Sequence, residues 1–83
     1  MKPTKNPFVK SRAIQGKFYV VNNREAYILD EVGQCVWNKI DGETDLDFII
    51  KEVAGQFNVD IGTVEQDIKE YLEELKENNL ITI

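Results

Sequence analysis

Histidine is absent from this 83-residue chain, and cysteine, methionine and tryptophan each occur once. Without imidazole the chain lacks the usual general base at neutral pH, the Ser-His and Cys-His nucleophile pairings, and the commonest transition-metal ligand. A lone Cys35 can neither close an internal disulfide nor hold a metal by itself. No phosphate-cradling glycine loop or other catalytic motif is present. These absences describe a protein that is not an enzyme and needs no cofactor. No apolar run approaches the ~18 residues of a membrane span, and Met1-Lys2-Pro3-Thr4-Lys5 leads into no apolar signal segment. The expected location is the cytoplasm, away from membranes.

Acid is also missing from the first 24 residues, which carry six basic groups: Lys2, Lys5, Lys10, Arg12, Lys17 and Arg24. Residues 25–83 carry four basic and fifteen acidic groups, which brings the chain to its net charge of −5. Two regions of opposite sign suit an oriented partner, and they equally serve solubility and attraction between the two halves. At 42% hydrophobic and 30% charged the composition is that of a folded globular protein. Residues 1–83 fit a single small domain.

Both prolines, Pro3 and Pro7, fall in residues 1–7, which read as a loose flexible arm. Phe8 to Ile14 mixes apolar and basic residues as a half-exposed strand would. Gln15-Gly16 is a short turn. Phe18-Tyr19-Val20-Val21 is the strongest β signal, because aromatic and β-branched side chains fit a pleated surface. Asn22-Asn23-Arg24 turns the chain again, and Ala26 to Leu29 follows as the third strand of an antiparallel meander.

From Asp30 onward the period changes from two to about three and a half. Asp30 is a candidate N-cap, and Gly33, Val36, Trp37 and Ile40 share one helical stripe. Asp41-Gly42 ends that helix. Thr44 with Asp47 resembles a capping box, leading into Leu46, Ile49, Ile50, Val53, Ala54 and Phe57 on a second stripe. Asp60 can cap a third helix whose buried stripe is Ile61, Val64, Ile68, Tyr71, Leu72 and Leu75. Its remaining positions hold Glu65, Asp67, Glu70, Glu73, Glu74 and Glu77 against Lys69 and Lys76. Asn78-Asn79 supplies a left-handed stop, and Leu80-Ile81-Thr82-Ile83 forms an apolar tail that folds back onto the core.

The fold class is therefore α+β: a three-stranded antiparallel sheet followed by three helices, in a winged helix-turn-helix-like order. Many such domains bind DNA, but a helix facing phosphates should be basic. The third helix is acidic and the sequence pI is about 4.6, so no nucleic-acid partner is expected.

Tyr27-Ile28-Leu29-Asp30 runs into Gly33-Gln34-Cys35-Val36-Trp37-Asn38-Lys39-Ile40-Asp41-Gly42. This resembles the aromatic-x-Leu-Asn and x-x-Ile-Trp-x-x-Leu-Asp-Gly segments of the PqqD family. That family comprises small proteins of pyrroloquinoline quinone (PQQ) biosynthesis and the peptide-recognition elements of lasso-peptide and other ribosomal-peptide (RiPP) pathways. Leu46-Asp47-Phe48-Ile49-Ile50, Val53-Ala54-Gly55-Gln56-Phe57-Asn58-Val59 and Val64-Glu65-Gln66-Asp67-Ile68 continue the likeness. Tyr71 through Ile81 is similar to the family's third helix and closing Gly-Leu-Ile. The resemblance covers roughly residues 8–81. Asp30 and Asn79 stand where asparagine and glycine are usual, and both substitutes can cap.

The resemblance implies a non-catalytic binding module, a peptide chaperone in natural-product biosynthesis. It implies capture of a precursor's leader segment by strand addition between the third strand and the third helix. The bound precursor would be presented to a modifying enzyme, such as a radical-SAM protein or a leader peptidase. The expected strand-side contacts are Glu25, Ala26, Tyr27, Ile28 and Leu29. The expected helix-side contacts are Val64, Asp67, Ile68, Tyr71 and Glu74, with Asp67 and Glu74 pairing to leader Lys or Arg. Each position also has a structural reading. Ile28 or Leu29, Val64 and Ile68 suit a core, Tyr27 and Tyr71 a rim, and Asp67 and Glu74 a solvated face. Trp37 reads as core and Cys35 as a small buried hydrophobe. An open strand edge is prone to self-association, so the expected state is a monomer or weak dimer. The competing expectation is an adaptor whose acidic third helix docks on a basic protein partner.

Overall fold

Aromatic and β-branched residues between Lys17 and Leu29 build the centre of a sheet, and three amphipathic helices cover one of its faces. The computed structural model describes residues 2–22 and 25–83. Asn23 and Arg24, part of the expected second turn, lie outside the described residues. In order the elements are β1 (Thr4–Lys5), β2 (Lys10–Ile14), β3 (Lys17–Asn22), β4 (Glu25–Leu29), α1 (Glu31–Lys39), α2 (Leu46–Phe57), α3 (Ile61–Glu77) and β5 (Ile81–Thr82).

Strands β2, β3 and β4 form the expected antiparallel meander, with Val20 opposite Ser11 and Tyr27, and Tyr19 opposite Arg12 and Ile28. Gln15 and Gly16 both take positive φ, 52° and 78°, the primed turn geometry whose twist matches its flanking strands. Strand alternation then decides burial. Val20 and Leu29 enter the core with Phe18 and Tyr27 packed against it, while Ile28 on the opposite face is 62% exposed.

The helical stripes meet that inner face. Val36 and Trp37 of α1, Ile49, Ile50 and Val53 of α2, and Ile68, Leu72 and Leu75 of α3 are all buried. Cys35 is also buried, its thiol donating to Gln56 Oε1 at 3.2 Å. Asp30 caps α1 by accepting from the Gly33 N–H at 2.7 Å, and Asp60 caps α3 by accepting from the Thr63 N–H at 3.1 Å. The tail returns as expected, with Leu80 and Ile81 among the most buried side chains. Asn79 supplies the left-handed residue, φ 61°.

Four expectations are corrected. Residues 4–5 of the presumed loose arm are a strand, β1 pairing antiparallel with β5. Pro3 is fully buried, its carbonyl accepting from the Gly42 N–H at 2.9 Å. Lys5 lies over the Trp37 ring at 5.1 Å, and burial lowers its pKa against a smaller opposing effect from Asp41. The reason is long-range: the returning tail offers the arm a strand to pair with. The first sheet strand begins at Lys10 rather than Phe8, because Asn6 holds a turn through Phe8 N–H and Val9 N–H. The α2 cap is Asp45, which accepts from the Asp47 N–H, while the Thr44 hydroxyl donates to Asp41. Asp41 also accepts from the Glu43 and Thr44 N–H groups, which hold its carboxyl below the usual carboxylate range. Finally, Ile61 is 50% exposed instead of buried, being the first residue of α3, one turn ahead of Val64, where the buried stripe begins.

Candidate functional site

Strand β4 pairs with β3 on one side only, so among the described residues its other edge has no partner strand. That edge faces α3. The five residues of β4 extend over roughly 17 Å, and Asp67, Tyr71, Glu74 and Asn78 follow one another along one α3 face over a similar length. Strand and helix are therefore matched walls of one groove.

Two cavities lie along it. The first, about 370 Å³, is lined by Ala26, Tyr27, Ile28 and Leu29 on the strand side and by Tyr71, Glu74, Leu75, Asn78 and Leu80 on the other. The second, about 310 Å³, sits between the start of α1 and α3 and is lined by Asp30, Val32, Gly33, Val36, Asp67, Ile68 and Tyr71. Tyr71 is common to both. A larger cavity of about 440 Å³ opens between α1 and α2, away from the strand edge. Its walls are mostly polar, Glu31, Gln34, Asn38, Lys39 and Gln56, with Cys35 and Phe57 as the apolar part.

Two tyrosines give the groove its polar chemistry. The Tyr27 hydroxyl donates to the Glu25 carboxylate and lies 3.4 Å from the Asn78 side-chain oxygen. Donating that hydrogen bond to the carboxylate stabilises the protonated phenol and raises the Tyr27 pKa, with desolvation adding to the effect. Tyr71 is the opposite case. Its hydroxyl oxygen is buried and has no hydrogen-bond partner among the described residues. Burial, reinforced by the negative charges of Asp30 and Glu74, pushes its pKa up to about 12. The ring is seated against Gly33, where a Cβ would fall 2.7 Å from the Tyr71 hydroxyl. Gly33 is thus dictated by close approach, although its φ is ordinary for a helix.

Of the ten expected contact residues, the structure brings eight to the two cavities: Ala26, Tyr27, Ile28, Leu29, Asp67, Ile68, Tyr71 and Glu74. Leu29 and Ile68 belong to the core as well, forming groove floor rather than groove wall. Two do not line either cavity. Val64 is packed in the core, and Glu25 is exposed, engaged with Tyr27.

Sequence reasoning missed Leu75, Asn78 and Leu80, and the α1 contribution from Asp30, Val32, Gly33 and Val36. Leu75 was legible from its spacing of four residues after Tyr71, and Val32 from its place as an apolar residue off the α1 stripe. Asn78 was legible in the same way, four residues after Glu74, whereas Leu80 reaches the groove only because the chain doubles back after α3.

Comparison with known proteins gives two findings. The family model described as "Coenzyme PQQ synthesis protein D (PqqD)" matches residues 18–81. A solved structure titled "TbiB1 in Complex with the TbiA(beta) Leader Peptide" superposes with a TM-score of 0.83, covering 94% of this chain and 93% of that one at 22% identity. At that identity the likeness speaks for the fold. The comparison with curated proteins found no match.

Proposed function

The chain belongs to the PqqD family, and from that premise we propose that it is a non-catalytic module that binds a precursor leader peptide. The peptide would add as a strand on the open edge of β4, with side chains entering the groove against α3, and would then be handed to a modifying enzyme. The observation that carries this reading is an unpartnered edge running beside one cavity shared with α3, with a second cavity beyond its end. A structural neighbour of the same fold is titled as a leader-peptide complex, which supports it.

Energetics assign the work within that groove. Each backbone hydrogen bond contributes roughly 0.5–1.5 kcal/mol net, while fixing each peptide residue costs about 1–2 kcal/mol. Backbone pairing by itself roughly cancels. Affinity then comes from two or three apolar side chains, each contributing about 1.5–3 kcal/mol when fully buried. The cavity between Leu29, Leu75 and Leu80 suits one such anchor. The edge supplies register and the cavities supply selectivity, the division of labour found in β-augmentation.

The test uses the precursor encoded by a neighbouring reading frame. Amide hydrogen exchange at Ala26–Leu29 should slow strongly when that peptide binds. A tightly bound peptide that leaves those amides unprotected would overturn strand addition. The exposed acids of α3, such as Glu70, Glu73 and Glu77, support a second reading as an adaptor for a basic protein surface. Salt separates the two, because an acidic docking face loses most of its affinity at high ionic strength and an apolar groove loses little.

A further inference from the structure

The 310 Å³ pocket between α1 and α3 differs in kind from the cavity beside β4. Its floor is apolar and closed: Val36 and Ile68 are almost completely buried, and Gly33 brings backbone against the Tyr71 ring. Val32, 40% exposed, stands at the mouth. Among the described residues, Asp30 and Asp67 are the only charged groups lining it, and no lysine or arginine does. Asp67 makes no hydrogen bond or ion pair among the described residues. Asp30 uses Oδ1 to cap α1, which leaves its second carboxylate oxygen.

An apolar floor beneath a pair of carboxylates selects the chemistry of its occupant. A purely apolar plug would strip water from both carboxylates without replacing it, and an acidic side chain would be repelled. Lysine and arginine satisfy both parts, since they bury a methylene stem while holding a charged head at the polar edge. The Tyr71 hydroxyl beside the two carboxylates makes no hydrogen bond among the described residues, so it satisfies neither of them. Position completes the case. Asp30 directly follows Leu29, the last residue of β4, so a peptide paired along the edge meets this pocket as it leaves the strand.

We propose that this pocket seats one lysine or arginine of the bound peptide, its stem on Val32, Val36 and Ile68 and its cationic head between Asp30 and Asp67. The inference rests on the peptide-binding reading and specifies the chemical class of peptide: apolar anchors beside β4 with a basic residue at the α1 end. Asp67 carries more of the attraction than Asp30, whose charge is partly offset by the N–H groups at the start of α1.

Selection of a random peptide library on the immobilised full chain tests both levels, with Asp67→Lys and Asp30→Asn as variants. Asn caps a helix as well as Asp does, so the second variant removes charge without removing the cap. Peptides enriched on the natural chain should share one fixed Lys or Arg position. The best of them, measured by fluorescence anisotropy, should bind about tenfold more weakly to Asp67→Lys and about threefold more weakly to Asp30→Asn. Norleucine in place of the basic residue should erase both differences. Enriched peptides that protect the β4 amides but show no basic preference, or that bind Asp67→Lys undiminished, would overturn the inference and leave the peptide reading standing. Failure to enrich any peptide, or enrichment only of peptides that leave β4 unprotected, would overturn both.

Discussion

The molecule contains two short β arrangements whose edges are treated in opposite ways. At the termini, β1 and β5 close on each other, and their surroundings are stitched by Asn6 N–H to the Leu80 carbonyl and Gly42 N–H to the Pro3 carbonyl. The Asn6 side chain adds a bond to the Asn79 carbonyl at 2.8 Å. Leu80, Ile81 and Pro3 are buried there. At β4, by contrast, a longer strand ends the sheet without a partner, next to a groove, with Ile28 largely exposed. An unpaired strand edge invites association, and this chain pairs its own ends with each other while the outer edges of β2 and β4 take no partner strand among the described residues. The contrast separates the end that holds stability from the edge at which a partner is proposed to add.

Substitutions should separate those two roles, and the largest effect belongs to the sealed end. Leu80→Ala removes a fully buried side chain and should cost about 2–5 kcal/mol in urea denaturation. A loss near zero would mean the terminal pair is ornamental to the core.

Next comes the seam where α1 meets α3. In Gly33→Ala the new methyl group collides with the Tyr71 hydroxyl. Overpacking of this kind costs about 1–3 kcal/mol, against which alanine returns roughly 0.5–1 kcal/mol of helix propensity. A net loss near 1 kcal/mol should result, and the double change with Tyr71→Phe should recover part of it. Additivity of the two changes in denaturation would show that Gly33 is not there for Tyr71.

Tyr71 also gives the groove a pH signature. In the unfolded chain a phenol ionises near 10, whereas in the fold Tyr71 holds its proton to about 12. Between those values the unfolded state binds fewer protons, so stability should fall as pH rises from 10 towards 12. Tyr27, raised in the same direction, contributes with the same sign. Denaturation midpoints at pH 8 and pH 11 should therefore differ less in Tyr71→Phe than in the natural chain.

The smallest change in stability is expected at the open edge itself. Ile28→Ala alters an exposed side chain and should shift stability by no more than about 0.5 kcal/mol. Peptide affinity, if strand addition is correct, should drop measurably in the same variant. Equal losses of stability from Ile28→Ala and Leu80→Ala would erase the distinction between the two regions.

Much of this architecture was legible before any coordinates. The switch from β-type runs to helical periodicity at Asp30 is local chemistry, and so are the Asp30 and Asp60 caps and the left-handed Asn79. The meander followed from two short turns. Six of the ten expected contacts line the cavity between β4 and α3, where a strand and a helix at known spacing leave few choices, while Asp67 and Ile68 line the pocket under α1. Failures came where local signals competed or where distant segments meet. Thr44, Asp45 and Asp47 all offer capping oxygens, and Asp41 draws Thr44 away. The arm at residues 4–5 becomes a strand only because residues 81–82 come back to it.

The sequence by itself determined that this protein has no histidine chemistry, an acidic third helix, three strands and three helices with their buried stripes, and kinship with the PqqD family. Those properties depend on residue type and short-range spacing, which a linear chain states directly. Only the tertiary structure decided that the N-terminal arm pairs with the returning tail, that Asp30 and Asp67 share one pocket, and that Tyr71 lies sealed against Gly33. Each of those joins residues distant in sequence, and such proximity is fixed by how the core packs.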